Sequence, residues 1–387
     1  MPWSDMSKQN LRLEFVTLAA SGGIGFRALC RRFGISAKTG CKWRTRFAAE
    51  GEAGLPDRSR RPRGAPSRTP GAVEKAVLAV RAEHPAWGGR KIAAVVAREG
   101  GTAPAPSTVT AILRRNGVEL GAFGGGAPPF KRFEHAAPND LWQMDFKGHV
   151  AMRQGRLHPL DAIDGHSRFL VLPAACDNER TETARDCLVK AFRLYGLPLC
   201  MMMDNGPPWG GPAACFNPPT VFLIGQGIRV GHSRPCHPQT NGKIERQHRA
   251  QKAEVLSGPP FDNLEHAQRK LSEWRDIYNT RRPHEAIGMA VPLDRYAPSP
   301  RPYKEVVEPF EYGPDDIVRR VQTGGDFTCQ GRDLRVPKAF HGKQIALRPD
   351  GPDGCFKIFF RHQFVAGLDM RSEIGNPQPV THVPEQA

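Results

Sequence analysis

No two of the nine cysteines form a C-x-x-C pair. Cys30, Cys41, Cys176, Cys187, Cys200, Cys215, Cys236, Cys329 and Cys355 are scattered over 387 residues. That scatter argues against a disulfide framework or a zinc ribbon and leaves reduced thiols, mostly small core hydrophobes. No apolar run is long enough to span a bilayer, and Met1 to Ser7 lack the apolar centre of a secretion signal. A cytosolic chain is therefore expected. Acidic residues are few, with 39 Asp and Glu against 55 Lys and Arg, for a net charge of +16.

The excess is unevenly placed. Residues 1–135 hold 23 Lys/Arg and 10 Asp/Glu, which is +13 of the +16. A membrane surface as partner would ask for a basic amphipathic helix with bulky apolar residues opposite, and none stands out. A polyanion such as nucleic acid fits better, because neutralised phosphates release their counterions on binding.

The basic half reads as helices. Leu11, Phe15, Leu18 and Ala19 give one helical stripe, and Phe26, Leu29, Cys30 and Phe33 a second that Gly34 closes. Ser36 is expected to cap a third helix bearing Lys38, Lys42, Trp43, Arg44 and Arg46. "FRALCRRFGISAKTGCKWRTRF" thus has the layout of a helix-turn-helix in residues 1–55, with a basic second helix fit for a major groove. Residues 56–70, "PDRSRRPRGAPSRTP", form a basic linker that either tracks phosphates or tethers. Residues 71–120 repeat the pattern, with Ser107 expected as the cap of a last helix ending in Arg114 and Arg115. A Gly-rich linker covers 121–137.

Residues 138–300 change to α/β. Strand-like runs at 142–146, 157–163, 168–172, 199–203 and 228–230 alternate with helical stretches at 181–195, 241–256 and 263–280. Three strands, a helix and a further strand is the opening order of a ribonuclease-H-like mixed sheet. Residues 305–371 show short alternating runs between Gly and Asp turns, as in a small all-β barrel or sandwich, and 372–387 form a loose tail. The expected fold is multidomain: all-α helix-turn-helix units, an α/β core and a small β domain.

Three carboxylates carry the chemistry: Asp145 in "LWQMDF", Asp204 in "MMMDNG" and Glu245 in "HPQTNGKIERQH". Two strand ends and a helix can bring such oxygens together around Mg²⁺, which favours carboxylate, water and phosphate ligands. Two ions would suit phosphodiester chemistry, one at the attacking oxygen and one at the leaving oxygen. Lys243, Arg246, His248 and Arg249 put positive charge around Glu245, where a DNA backbone would lie. Asp164 is expected to begin a turn in "DGHSR", Asp161 is set aside, and His232, Cys236 and His237 lack a fourth zinc ligand.

"WQMDFKG", "DAIDGHSRF", "MDNGPPW", "HPQTNGKIERQH" and "SEWRDIYNTRRPHEAIGMAVPLDRY" resemble the motifs of the integrase-like DDE transposases of bacterial insertion sequences, relatives of retroviral integrases. The resemblance covers nearly the whole chain. It implies a Mg²⁺-dependent polynucleotidyl transferase with two ions (Mn²⁺ as a substitute), bound by Asp145, Asp204 and Glu245. It further implies that Asn205, His237, Asn241, Lys243 and Arg246 line the site or touch DNA. Double-stranded DNA, as terminal inverted repeats and as target, is the expected partner, with a homo-multimer assembling on it in the nucleoid. The alternative is a domesticated DNA-binding protein with an inactive core. Two departures stand out. An insertion around "WGGPAACFNPPTVF" is expected to lengthen a surface loop, and the zinc-binding domain of retroviral integrases is missing.

Overall fold

The computed structural model describes residues 8–58, 69–119, 134–204, 206, 208–209, 216–232 and 242–371. Most of the basic linker, most of the Gly-rich linker, the tail from Ser372, and Asn205, Cys236, His237 and Asn241 lie outside the described residues. The chain divides into two compact units, one up to Arg68 and one from Thr69 on. Among the described residues no helix is long and apolar enough to cross a membrane.

The first unit consists of α1 (Lys8–Ser21), α2 (Phe26–Arg32) and α3 (Ala37–Glu50). Ser36 caps α3 as expected, its hydroxyl accepting the Thr39 amide at 3.1 Å. Phe15, Val16, Leu29, Cys30, Trp43 and Leu55 form the core. Gly40 lets α3 approach closely, since a Cβ there would lie 2.6 Å from the Cys30 sulfur and 2.9 Å from the Phe15 ring.

The second unit opens with α4 (Gly71–Glu83), α5 (Gly89–Arg98) and α6 (Pro106–Arg115) around Val77, Trp87, Ile92, Val96, Ile112 and Leu113. Ser107 does not cap α6. The helix starts two residues earlier than that cap would place it, at Pro106, with Ala105 at the cap and no side-chain cap bond, because the fixed φ of proline suits a first helical position.

The core sheet runs β1 (Leu141–Phe146), β2 (Val150–Ala151), β3 (Arg156–Asp164), β4 (Leu170–Cys176), β5 (Cys200–Met203) and β6 (Arg229–His232). β3 lies antiparallel between β1 and β4, while β5 and β6 continue the other side in parallel. This is the mixed order of a ribonuclease-H-like core. The helix α7 (Thr181–Tyr195) covers one face through Ala184, Leu188 and Phe192, against Trp142, Met144, Leu160, Met201 and Met203. On the other face lie α9 (Gly242–Gln251) and α10 (Leu264–Thr280), with α8 (Pro218–Gly225) before them in sequence. Ile244 and Ala250 of α9 and Trp274 and Tyr278 of α10 pack on Ile163 and Leu170.

The expected surface loop at the insertion is in part a buried helix. Asn217 accepts the Thr220 amide at 3.0 Å to start α8, and Phe216, Val221 and Ile224 join the core of the C-terminal β module. That module has a four-stranded antiparallel sheet of β7 (Ile317–Arg320), β10 (Gln344–Pro349), β11 (Cys355–Phe360) and β12 (Gln363–Asp369). A two-stranded hairpin, β8 (Asp326–Cys329) and β9 (Arg332–Arg335), completes it.

Candidate active site

Strand alternation decides which side chains meet. Because Trp142 and Met144 face α7, Gln143 and Asp145 face the α9 side. In β3, Leu160 and Ala162 face α7, so Asp161 and Ile163 do not. Asp145 and Asp161 are direct cross-strand partners. Met201 and Met203 face α7, which turns the chain at Asp204 to the α9 side. Leu141, Trp142 and Gln143 pair with Cys200, Met201 and Met202, and the same offset carried onward brings Asp145 level with Asp204.

Both carboxyls are raised, and Asp145 in part by the charge of Asp204. Burial pushes the Asp145 carboxyl up to about 6; the His248 ring opposes that shift, and the negative charge of Asp204 adds to it. Burial also raises Asp204, although the Gly206 amide donates to it and partly offsets the rise. Asp204 Oδ1 is buried without a hydrogen-bond partner among the described residues. A Cβ on Gly206 would come within 2.9 Å of Asp204 Oδ2, so only glycine leaves that carboxylate its space. The His232 ring holds the Asp204 backbone carbonyl at 3.0 Å.

Glu245 lies in the first turn of α9 and is exposed. Among the described residues no three His, Cys, Asp or Glu side chains gather closely enough to hold a metal ion. Asp145 and Asp204 therefore stand level at the ends of neighbouring strands, and Glu245 lies on the exposed side of α9. The buried residues of α9 are Ile244, Gln247, His248, Ala250 and Gln251, of which 244, 247, 248 and 251 form a stripe at helical spacing. His248, grouped in the sequence with the DNA-facing charges, points inward instead. Its Nε2 is 3.3 Å from Asp161 Oδ2 and its Nδ1 is 3.9 Å from Asp145 Oδ2. Asp161, set aside on sequence grounds, is fully buried and accepts Gln251 Nε2 at 2.9 Å. The signal for both was the 244/247/248/251 stripe, hidden because three of its members are polar.

Lys243 is half-buried rather than free to meet DNA. Its Nζ donates to the Gly165 carbonyl at 2.9 Å, and burial, then the nearby Arg168 charge, lowers its pKa to about 8. It braces the "DGHSR" turn, where Asp164 accepts the Asn139, His166 and Ser167 amides and the Ser167 hydroxyl, as the sequence led one to expect. Arg246 and Arg249 are exposed. In the first unit Lys38, Lys42 and Arg44 are exposed on α3, and Arg46 and Lys42 stack on Trp43 at 5.2 and 4.5 Å. Arg114 is exposed, whereas Arg115 is engaged by Glu74 at 2.9 Å. Asn205, His237 and Asn241 lie outside the described residues.

Comparison with known proteins follows this layout. Two models described as an integrase core domain match residues 135–238 and 226–292. A helix-turn-helix domain model matches 11–63 and a homeodomain-like domain model matches 39–113. The C-terminal domain of IS481 family transposases matches 316–375. The insertion element IS407 uncharacterized 31.7 kDa protein of Burkholderia multivorans is 26% identical over 41% of this chain and 55% of its own length. The insertion element IS476 uncharacterized 39.2 kDa protein of Xanthomonas euvesicatoria is 27% identical over 42% of this chain and 45% of its own. The chain thus spans about half the length of these relatives.

Among solved structures, a simian T-cell lymphotropic virus intasome in complex with PP2A regulatory subunit B56 gamma is 16% identical. Its TM-score is 0.36, covering 75% of this chain and 95% of that one. The HTLV-2 integrase catalytic core domain in complex with magnesium is 17% identical at a TM-score of 0.31, covering 42% and 99%. At these scores the structural likeness carries no further argument. The integrase core models fall on the sheet that carries the acids, and the transposase model falls on the last strands. The chain thus joins helix-turn-helix segments, an integrase core domain and the C-terminal domain of IS481 family transposases, and it is similar to proteins of bacterial insertion elements.

Proposed function

We propose that the protein is a DNA transposase that cleaves the ends of a mobile element and joins the freed 3′-hydroxyl to target DNA. The observation that carries this reading is the pair Asp145 and Asp204, aligned on one sheet face, raised by burial and, at Asp145, by the charge of Asp204. Like charges so placed are costly unless a cation relieves them. Asp204 Oδ1, unpartnered among the described residues, fits a divalent ion, and hard carboxylate oxygens fit Mg²⁺ or Mn²⁺. Asp145, Asp204 and Glu245 would hold it, with Glu245 supplied by α9. When bound, such ions lower the charge on the attacking and leaving oxygens of a phosphodiester. The chain's own residues then do the rest. Arg246 and Arg249 on the exposed face of α9 lie where a phosphate backbone would pass. The exposed cations of α3 would read the terminal inverted repeat in the major groove, and Arg114 would extend the footprint. Neither step needs a covalent protein intermediate, so no Ser or Tyr nucleophile is required. Joining two element ends calls for at least two copies on the DNA.

The test is strand cleavage and transfer on duplexes carrying the element's ends, with Mg²⁺ or Mn²⁺. Asp145→Asn, Asp204→Asn and Glu245→Gln are each expected to fall to background while duplex binding persists. The exposed position of Glu245 favours one other reading, a DNA-binding protein with an inactive core. Wild-type protein that binds the ends yet never nicks them, in either metal, would establish that alternative.

A further inference from the structure

We propose that His248 is a positioning residue: Asp161 orients its ring, and the ring in turn fixes Asp145 against the helix that carries Glu245. The proposal rests on the reading of Asp145 as a metal-holding acid.

Three buried polar residues make this arrangement. Asp161 is fully buried, Gln251 is fully buried and His248 is 6% exposed. A carboxylate in such a place is costly unless it is partnered. Asp161 has two partners, both from α9: Gln251 Nε2 at 2.9 Å on Oδ1, and the His248 ring at 3.3 Å from Oδ2. The second contact is close enough for an ion pair but is not aligned as a hydrogen bond. The far side of the same ring stands 3.9 Å from Asp145 Oδ2. The imidazole therefore lies between two carboxylates that the β1–β3 register already sets side by side.

The geometry links two elements that must agree for the site to form. Asp145 belongs to β1, while His248 and Gln251 lie within two turns of Glu245 on α9. Beyond Gln251 the helix passes into a π turn, Lys252–Leu256, where Glu254 accepts Trp274 Nε1 at 3.0 Å and Arg282 Nε at 2.9 Å. α9 is thus tied to Asp161 through Gln251, and the π turn that follows it is held at Glu254. Partners behind metal-holding side chains commonly change metal affinity about 10–100-fold when removed.

The experiment measures Mn²⁺ binding to the full-length protein by electron paramagnetic resonance, beside the unfolding midpoint of the metal-free protein. Asp161→Asn keeps the acceptor for Gln251 and removes the charge that orients His248. It should weaken Mn²⁺ binding about tenfold or more while the metal-free midpoint stays within about 3 °C of wild type. His248→Ala should weaken binding similarly, and His248→Gln, which still reaches Asp161, should restore most of it. The Asp161→Asn/His248→Ala double variant should lose no more than the worse single change, because both act on one ring. Wild-type Mn²⁺ affinity in both single variants, or fully additive losses, overturns the proposal. If His248→Ala proves unfolded, Asp161→Asn and His248→Gln decide. Asp145→Asn separates the two levels. If it too binds Mn²⁺ normally, the reading of the metal site fails; if it alone loses the ion, only the positioning role does.

Discussion

At the scale of single residues, the site is defined by carboxylates held in unfavourable surroundings. Asp145 has a folded pKa of about 6 against an ordinary 3.8, chiefly from burial. A carboxyl raised in this way keeps its proton in the folded state at pH values where the unfolded chain has lost it. Its contribution to stability is complete below about pH 4 and is lost as pH rises through about 6. In chelator at pH 7.5, Asp145→Asn should therefore unfold at a higher temperature than wild type, by up to about 3 kcal/mol of stability, and the gap should close by pH 4. Calorimetry across that range checks both sign and window. Gly206 makes a second case. A methyl group 2.9 Å from Asp204 Oδ2 displaces the tip of a flexible side chain, not the backbone. Gly206→Ala should leave the unfolding midpoint nearly unchanged and slow strand cleavage by up to about a hundredfold, the cost of a misplaced reacting group. Asp145 and Asp204 were legible in the sequence as acids closing apolar strands. Asp161 and His248 were not, because a buried polar face has the spacing of a core helix without its composition.

At the scale of elements, period and punctuation identified most of the structure. α7 spans Thr181–Tyr195, where the sequence placed it, and Ser36 starts α3. Three misreadings have local causes. Ser107 looked like a cap, but Pro106 before it already satisfies the first helical position. The strand expected at 168–172 sits two residues later because Arg168, at φ 67, still belongs to the Asp164 turn. The insertion around "WGGPAACFNPPTVF" reads as a longer surface loop, whereas its prolines at the first helical positions behind an Asn cap start a helix. In α3, Gly40 marks a helix crossing rather than a weak point. Gly40→Ala drives a Cβ to 2.6 Å from the Cys30 sulfur and should destabilise the first unit by about 1–3 kcal/mol. Faster amide exchange across residues 8–58, with the sheet unaffected, is the expected reading.

At the scale of the molecule, the second helical module is fastened to the integrase core domain. Arg98 forks onto Asp294 at 2.7 and 2.8 Å, and Arg281, the residue after α10, pairs with Glu83 and, at 2.8 Å, with Glu99. Ile277 packs on the module's apolar centre. Exposed ion pairs contribute about 0–1 kcal/mol each, so the apolar contact holds the module and the charges set its angle. Arg281→Glu repels both acids and should raise amide exchange in α4, α5 and α6 without changing that of β1, β3 and β5. High salt should reproduce part of the effect in wild type.

By itself the sequence determined the order of the modules, the basic character of the first helices and the strands of the core. These follow from short-range rules: hydrophobic period, caps, turns and charge balance. Only the tertiary structure decided that Lys243 braces a turn, that Arg115 is engaged by Glu74, that His248 faces Asp161 and Asp145, and that α8 joins the β module to the core. Those outcomes depend on which faces of separate elements meet across the sheet, and local spacing does not encode that choice.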